Sequence, residues 1–385
     1  MKLFSIAFAI GLGACGAVPN AASDASTGDD NPDTDAGPCG AAGQTCCASD
    51  TCDVGLACTS ADQVCRAAEV WVVGTTGDGN DLTGMAMVGH GDGTSFTLDM
   101  LGTGSPTAIS GTSASDVWAI VRGPDGNNGQ TSFARHWNGV VWGAQINFPE
   151  GFIVTDLWGN APNNYWAVDN GGTAMHFDGV GWSAPLTISA GIVLTGVWGS
   201  SASNVWAVGQ GTVAHWDGTG SWAATTRTDF HVYGSRIATG RGSSMIVGGA
   251  AEGAAEVPGV LRLTGSDFTV EKLGDGLDCA TTTAVWSGPD DEWALTASSI
   301  SLNNCDAHPT VMHHVDGVWT GTGKLPNASR VFSMWGSSNR DLFVTGLDAT
   351  GAAAVFHYDG TTWKTPYTTS GVKFLFSAWG TGQPQ

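Results

Sequence analysis

The sequence predicts an all-β fold: a closed ring of seven four-stranded antiparallel blades, preceded by a flexible tether and a small disulfide-rich module. Three observations lead there. One strand-forming motif recurs seven times after residue 67. The composition favours short strands and tight turns, with 57 glycines, 17 tryptophans and only 13% charged residues. The repeat region also opens and closes partway through a repeat, which a linear array has no reason to do.

The clearest repeat copy is GVWGSSASNVWAVGQGTVAHWDGTGSW, residues 196–222. It has four parts: an aromatic-Gly pair, an acidic or amide residue two before Trp-Ala-Val, a His-x-Asp/Asn-Gly segment and a closing Trp. The second part recurs at Trp71, Trp118, Trp166, Trp206, Ile246, Trp293 and Phe343, spaced 40 to 50 residues apart, the length of a propeller blade. The third recurs at His90, His136, His176, His215, Arg262, His314 and His357. Each part is β-branched or aromatic, and Asp-Gly or Asn-Gly after the histidine signals a tight hairpin, so each repeat reads as four antiparallel strands. The chain enters at a second strand (EVWVVG, 69–74) and ends on a lone first strand (FSAWG, 376–380). The last strand is therefore expected to complete the first blade of a seven-bladed β-propeller spanning 67–385.

The tryptophans distribute by symmetry over the four repeat positions, which marks them as packing between blades rather than a ligand platform. The repeated histidines each belong to a different blade, so a structural hydrogen bond within each blade is the expected role, and no metal site or cofactor is expected.

Residues 1–14 form a targeting segment. Lys2 precedes an apolar run too short to cross a bilayer, and the run ends at Cys15. Residues 16–38 hold five Asp and no Lys or Arg, and cannot offset their ordering entropy by burial, so 15–38 reads as a disordered acidic linker. Cys39, Cys46, Cys47, Cys52, Cys58 and Cys65 crowd a block of 39–65 that has almost no apolar core and must rely on three cross-links of open connectivity. Cys279 and Cys305 make a further plausible pair on one blade edge. With Cys15 set aside the count is even, as an oxidising compartment requires.

Leu12-Gly13-Ala14-Cys15 resembles the bacterial lipobox, which implies cleavage before Cys15, lipidation of that cysteine and, with Gly16 following, an outer-membrane lipoprotein at the extracellular or periplasmic face. The Cys-rich block is similar to small dickkopf-like and knottin-like modules of secreted proteins. VWGSSASNVWAVG with HWDGTGSW resembles the secreted propeller lipoproteins of myxobacteria and, more distantly, tectonin and kelch repeats. That resemblance implies the fold and assigns no activity.

A formal net charge of −21 repels phosphate backbones and anionic lipid faces, so no nucleic acid partner is expected and the membrane is met through the lipid anchor only. The chain is read as a monomer. No Gly-x-Ser-x-Gly, His-Glu-x-x-His or sialidase box occurs, so the expected function is non-catalytic binding or adhesion, to carbohydrate or protein; a propeller hydrolase or lyase acting on extracellular glycans and a structural, partner-binding envelope protein are the alternatives. Anchor spacings from first to second strand are short, with the longest placed at Tyr233–Ile246, whereas those from second to third vary widely. Variable loops on a rigid scaffold are where ligands bind. The candidate residues on that face are Asp78, Asp81, Asp125, Asn127, Asn128, Glu252, Glu256, Asn303, Asn304, Asp306 and His308.

Overall fold

A computed structural model describes residues 41–47, 56–58, 64–78, 82–93, 95–126, 129–232, 238–241, 244–252, 257–265, 267–274, 280–288, 291–298, 309–364, 367–368 and 370–381. The expected signal segment, Cys15, the linker, Cys39, Cys52, Cys279 and Cys305 lie outside the described residues. Seven sheets of antiparallel strands form the ring of a β-propeller, and no helix occurs among the described residues.

We letter the strands of each blade A to D from the axis outward. Blade 1 is Phe374–Gly380, Val70–Thr75, Met85–Gly91 and Phe96–Thr103. Blade 2 is Ser105–Ser113, Asp116–Pro124, Gln130–Trp137 and Ile146–Asn147. Blade 3 is Val154–Ala161, Asn164–Asp169, Thr173–Phe177 and Leu186–Thr187. Blade 4 is Gly196–Ser201, Asn204–Gly209, Thr212–Trp216 and Trp222–Thr226. Blade 5 has a split A strand, Phe230–His231 and Ala238–Arg241, then Ser244–Ala251, Val257–Thr264 and Asp267–Lys272. Blade 6 is Ala280–Ser287, Glu292–Ser298, Thr310–Val315 and Val318–Lys324. Blade 7 is Ala328–Ser338, Asp341–Asp348, Ala353–Tyr358 and Tyr367–Thr368.

The ring closes as the split repeat requires. The C-terminal strand pairs antiparallel with Val70–Thr75, with Trp379 opposite Trp71 and Ala378 opposite Val72. Glu69 N–H donates to the Thr381 hydroxyl at 3.0 Å and Thr381 N–H donates to the Glu69 carbonyl at 2.9 Å, so the two ends are tied beyond the ladder. The same cross-strand pair recurs as Trp158–Trp166, Trp198–Trp206 and Trp286–Trp293.

Blades 1, 2, 3 and 4 each hold their B-strand indole against aromatics of the next blade. Trp71 meets Trp137 and Trp142, Trp118 meets Phe177 and Trp182, Trp166 meets Trp216 and Trp222, and Trp206 meets Phe268, all with ring centroids between 5.0 and 6.0 Å. Offset and edge contacts of this kind add to the area term for rings of this size.

The A-strand Trp-Gly pair has a second use. A Cβ built on Gly199 would lie 2.7 Å from the Trp158 indole of the preceding blade; on Gly240, 2.9 Å from Trp198; on Gly336, 3.0 Å from Trp286; on Gly380, 2.5 Å from Trp335; on Gly111, 2.7 Å from Trp379. Each inner indole therefore lies over the glycine of its neighbour, and only a residue without Cβ admits it. Blade 2 carries Ser110 in place of the indole. There Gly159 is covered instead by Tyr165, 2.2 Å from the built Cβ, whose hydroxyl donates to Asp116 Oδ2 of blade 2 at 2.7 Å.

Two expected positions are corrected. In blade 5 the residue opposite Ile246 is Thr239, not Tyr233. The A strand is interrupted, and Tyr233 falls outside the described residues between its two pieces. In blade 6 the histidine opposite Trp293 is His313, while His314 stands opposite Glu292. The adjacent pair made the sequence ambiguous by one residue, which in a strand reverses the face.

N-terminal to the ring, Leu56–Cys58 pairs with Cys65–Ala67, and Thr45 bridges Val64. Cys46, Cys47 and Cys65 are disulfide-bonded, and Cys65 is fully buried. This ladder runs two residues past the expected module boundary at residue 65.

Gly199→Ala forces a methyl group into Trp158 and against the Asn204 carbonyl, 2.8 Å away, and overpacking of this type costs about 1–3 kcal/mol. Gly181→Ala meets nothing within 4 Å. Urea unfolding monitored by tryptophan emission is expected to show a clear loss of midpoint for the first and none for the second; equal midpoints contradict the interlocking of indole and glycine.

Candidate functional site

The repeated histidines are structural. Each imidazole lies against the B-strand aromatic opposite it, tilted for His176–Trp166 and stacked for the others, with centroids 4.0 Å apart for His90–Trp71, 4.4 Å for His136–Trp118, 4.7 Å for His176–Trp166, 4.1 Å for His215–Trp206, 4.0 Å for His313–Trp293 and 4.4 Å for His357–Phe343. Its Nε2 then reaches the residue two before that aromatic. The partners are Glu69 at 3.0 Å, Asp116 at 2.6 Å, Asn164 at 2.7 Å, Asn204 at 2.7 Å and Asp341 at 2.6 Å. His313 Nε2 lies 3.0 Å from Asp291 Oδ1, an ion-pair distance, but off the line of a hydrogen bond. This explains why the motif needs an acid or amide two residues before the Trp.

Asn164 Nδ2 donates to Asn160 at 2.6 Å and Asn204 Nδ2 donates to Ser200 at 2.6 Å. With their Oδ1 atoms turned to the imidazoles, Asn164 and Asn204 accept from the Nε2–H of His176 and His215. Burial holds both imidazoles below the usual range, with Asp178 and Asp217 partly opposing it.

Blade 5 replaces the set. Ser244 stands where the acid belongs, and Arg262 where the histidine belongs. The guanidinium donates to Glu292 of blade 6 at 2.6 and 2.7 Å and to Glu271 at 2.6 and 3.1 Å. Glu271 also accepts from Trp319 Nε1 at 2.9 Å. The two carboxylates, Glu292 foremost, hold the guanidinium above its already high range. The polar tie that lies within one blade elsewhere thus crosses the blade 5–blade 6 boundary here.

Two blades bring a hydroxyl, an acid and a histidine together: Thr112, Asp116 and His136, and Ser337, Asp341 and His357. In both the hydroxyl and the imidazole bind opposite oxygens of the same carboxylate. A hydrolytic triad needs the imidazole between acid and hydroxyl, to take the hydroxyl proton. With the acid in the middle, the hydroxyl proton is committed to the carboxylate, and these sets are not built for nucleophilic attack. Burial drives the Asp116 carboxyl up, but hydrogen bonds from His136, Thr112 and Tyr165 outweigh it and hold the group ionised below its ordinary range. No group of three or more His, Cys, Asp or Glu placed to hold a metal occurs among the described residues.

Of the loop-face candidates, Asp78, Asp125 and Glu252 are described; Asp81, Asn127, Asn128, Glu256, Asn303, Asn304, Asp306 and His308 lie outside the described residues. Exposed Asp78 pairs with Lys373 at 3.0 Å, joining the B–C loop of blade 1 to the link that precedes its A strand. Asp125 closes its own loop, accepting from Gly129 N–H at 2.8 Å. Glu252 is held through its backbone, its N–H donating to the Asp229 carbonyl at 3.0 Å. These three are thus engaged with their own loops and links. The B–C connections differ in length, and so do the C–D connections on the opposite face, from 265–266 and 316–317 to 138–145, 178–185 and 359–366. B–C connections run 76–84, 125–129, 170–172, 210–211, 252–256, 299–309 and 349–352 in blades 1 to 7, whereas A–B connections are 114–115, 162–163, 202–203, 242–243, 288–291 and 339–340 in blades 2 to 7.

One opening at the centre of the ring was missed by loop reasoning. A cavity of about 110 Å³ sits on the ring axis, walled by the A strands. Trp158, Trp198, Trp286, Trp335 and Trp379 line it, together with Asp156 and Ser333. The inner indoles were expected to serve packing alone; the signal that could have found the cavity is the absence of Trp at two of seven inner positions, where Ser110 and Thr239 stand.

No protein-family model and no curated protein matches the chain. Solved structures do match in fold. The chain is similar to a structure described as YCF48 bound to D1 peptide, at 12% identity and TM-score 0.50, covering 78% of this chain and 89% of that one. It is also similar to a putative 6-phosphogluconolactonase from Bacteroides uniformis, at 11% identity and TM-score 0.54, covering 81% and 99%. At such identities the likeness shows the β-propeller fold alone.

Asn164→Asp gives His176 a charged partner and is expected to raise its pKa in an NMR titration. The sign for stability follows from the depressed native value: on acidification the unfolded chain takes the proton first, so stability present above pH 6.5 is lost as pH falls below it. Asn164→Asp should lessen that loss between pH 7.5 and 5.5. An unchanged His176 titration contradicts the assigned contact.

Proposed function

We propose that the protein is a non-catalytic binding module of the bacterial cell surface, holding a carbohydrate or protein ligand on the propeller face that carries the B–C loops. The observation that carries this reading is the division of labour around the ring. The described His–acid sets recur as supports for the B-strand aromatics, while the B–C loops range from 210–211 in blade 4 to 299–309 in blade 6, against two to four residues in the A–B connections of blades 2 to 7. Rigid scaffolds with variable loops on one face suit recognition. A propeller of similar fold bound to a peptide supports the protein-ligand version, and the central position of the carboxylate in both Ser/Thr–Asp–His sets weighs against hydrolysis. We further propose that Cys15 is lipidated and that the linker at 15–38 holds the module and propeller away from an outer membrane.

The full chain, screened against cell-wall glycan fragments and a peptide array, should bind members of one class without consuming them. Replacing 125–129 with the Gln210-Gly211 turn should weaken that binding at least ~10-fold without lowering the melting temperature, and Cys15→Ala should release the protein from membranes. Turnover of a glycan, undiminished binding after the loop exchange, or membrane retention of Cys15→Ala would each contradict the corresponding part.

A further inference from the structure

The A strands break their repeat a second time, at the B–C end of the ring. Each of five A strands bulges three residues before the inner Trp position, and the extra residue is Thr107 in blade 2, Thr155 in blade 3 and Thr283 in blade 6, but Phe376 in blade 1 and Phe332 in blade 7. The Thr155 and Thr283 hydroxyls donate to the B-strand carbonyls of Val168 and Leu295 at 3.1 and 3.3 Å, so a small polar residue serves this bulge. A phenyl ring there adds apolar surface that the bulge does not require. The two phenylalanines belong to neighbouring blades and meet. Ring centroids are 5.7 Å apart for Phe332 and Phe376, 5.8 Å for Phe374 stacked on Phe376, and 6.4 Å for Phe332 and Phe374. All three residues are half-buried, none fully. Phe374 stands opposite Thr75, the last B-strand residue before the 76–84 loop, so the cluster lies on the B–C face. Ser333, which follows Phe332, and Ala378, two residues after Phe376, line the axial opening. Exposed Arg330 holds its guanidinium over the Phe332 ring, with Cζ 5.4 Å from the centroid.

Three phenyl rings beside a guanidinium suit one class of occupant. A sugar needs hydrogen-bond partners for its hydroxyls, and phenyl rings supply none. An apolar side chain gains from burial against the rings and, if aromatic, from edge and offset contacts with them. The guanidinium adds a planar fork of donors that fits a carboxylate. In a chain with 14 Lys and Arg against 35 Asp and Glu, a cation on an aromatic platform sets this mouth apart from the acidic surface around it. The net charge of −21 opposes an acidic ligand at a distance, but screening over about 8 Å at physiological salt leaves the contact itself to local groups. We propose that Phe332, Phe374, Phe376 and Arg330 form a subsite for an apolar side chain of a protein ligand that carries a carboxylate beside it. This rests on the reading of the B–C face as the binding face and selects its protein-ligand form.

The test titrates the full chain with N-acetylphenylalanine, its neutral amide, N-acetylalanine and methyl glucuronide, by ligand-observed NMR and calorimetry. Saturable binding of N-acetylphenylalanine is expected, at least ~10-fold tighter than N-acetylalanine, as burial of one phenyl ring implies. It should also bind at least ~2-fold tighter than the amide, as an exposed ion pair allows. Phe332→Thr and Phe376→Thr install the residue that blades 2, 3 and 6 carry at the same bulge, and each should weaken N-acetylphenylalanine at least ~10-fold. Arg330→Gln should erase the preference over the amide. No saturable binding, equal affinity for N-acetylalanine, tighter binding of methyl glucuronide, or undiminished binding by a folded Phe332→Thr would overturn the proposal. A cluster that only packs blade 7 on blade 1 would lower the melting temperature of the threonine variants and bind no probe. Should those variants not fold, the comparison of probes on the unaltered protein decides alone. Exchange of 125–129 spares these residues, so array peptides lost in that exchange but kept by Phe332→Thr would leave the binding face standing and remove this subsite.

Discussion

The structure depends on one long-range pairing, Val70–Thr75 against Phe374–Gly380. Every blade of a ring has neighbours on both sides, so every large inner and B-strand aromatic is covered. Were this pairing lost, blade 1 would lack its axial strand and Trp379 would leave Gly111 of blade 2 and the Trp71 ladder together. Closing a loop of some three hundred residues costs an entropy that grows only with the logarithm of its length. The last strand returns that cost by burying Leu375, Ala378 and Trp379 and completing a ladder on the exposed edge of Val70–Thr75. An unpaired edge of such an apolar strand is also an aggregation hazard, which closure removes.

Within the ring two repeated contacts divide the work. The indole-over-glycine contact sets how closely neighbouring A strands approach near the axis, and the Trp–His–acid stack fixes the B-strand aromatic further out. Both tolerate replacement only with compensation. Where Ser110 removes an indole, Tyr165 covers the glycine and donates back to Asp116 across the blade boundary. Where Ser244 removes the acid, Arg262 turns to Glu292 of the next blade. The geometry is thus maintained around the ring by interactions of different chemistry.

The blade count, the closure and the place of the repeated residues were legible because strand periodicity, Asp-Gly hairpins and Trp spacing are local signals repeated many times. Two details were not. The blade 5 inner strand lacks its aromatic, so Tyr233 offered itself as the anchor although the ladder places Thr239 there. His313 and His314 are adjacent, and a motif match cannot choose between faces, whereas the pairing of His313 with Trp293 does. The axial cavity escaped sequence reasoning altogether, because it is formed by residues from seven separate strands whose only common property is their position in the ring. The loop residues chosen as ligand contacts rest on loop length, a property that says where variation is permitted and not which atoms converge.

Function and fold therefore separate cleanly along the symmetry. What repeats is scaffold, and what breaks the repeat, such as Ser110, Thr239 and the unequal B–C loops, is where the proposed recognition would reside. All of it presupposes the closed ring. Native-state hydrogen exchange read at the amides of Phe374–Gly380 and Val70–Thr75 tests that most directly. The closed ring predicts that both strands are protected to a similar degree and open together; free exchange of the C-terminal strand beside a protected Val70–Thr75 would contradict it.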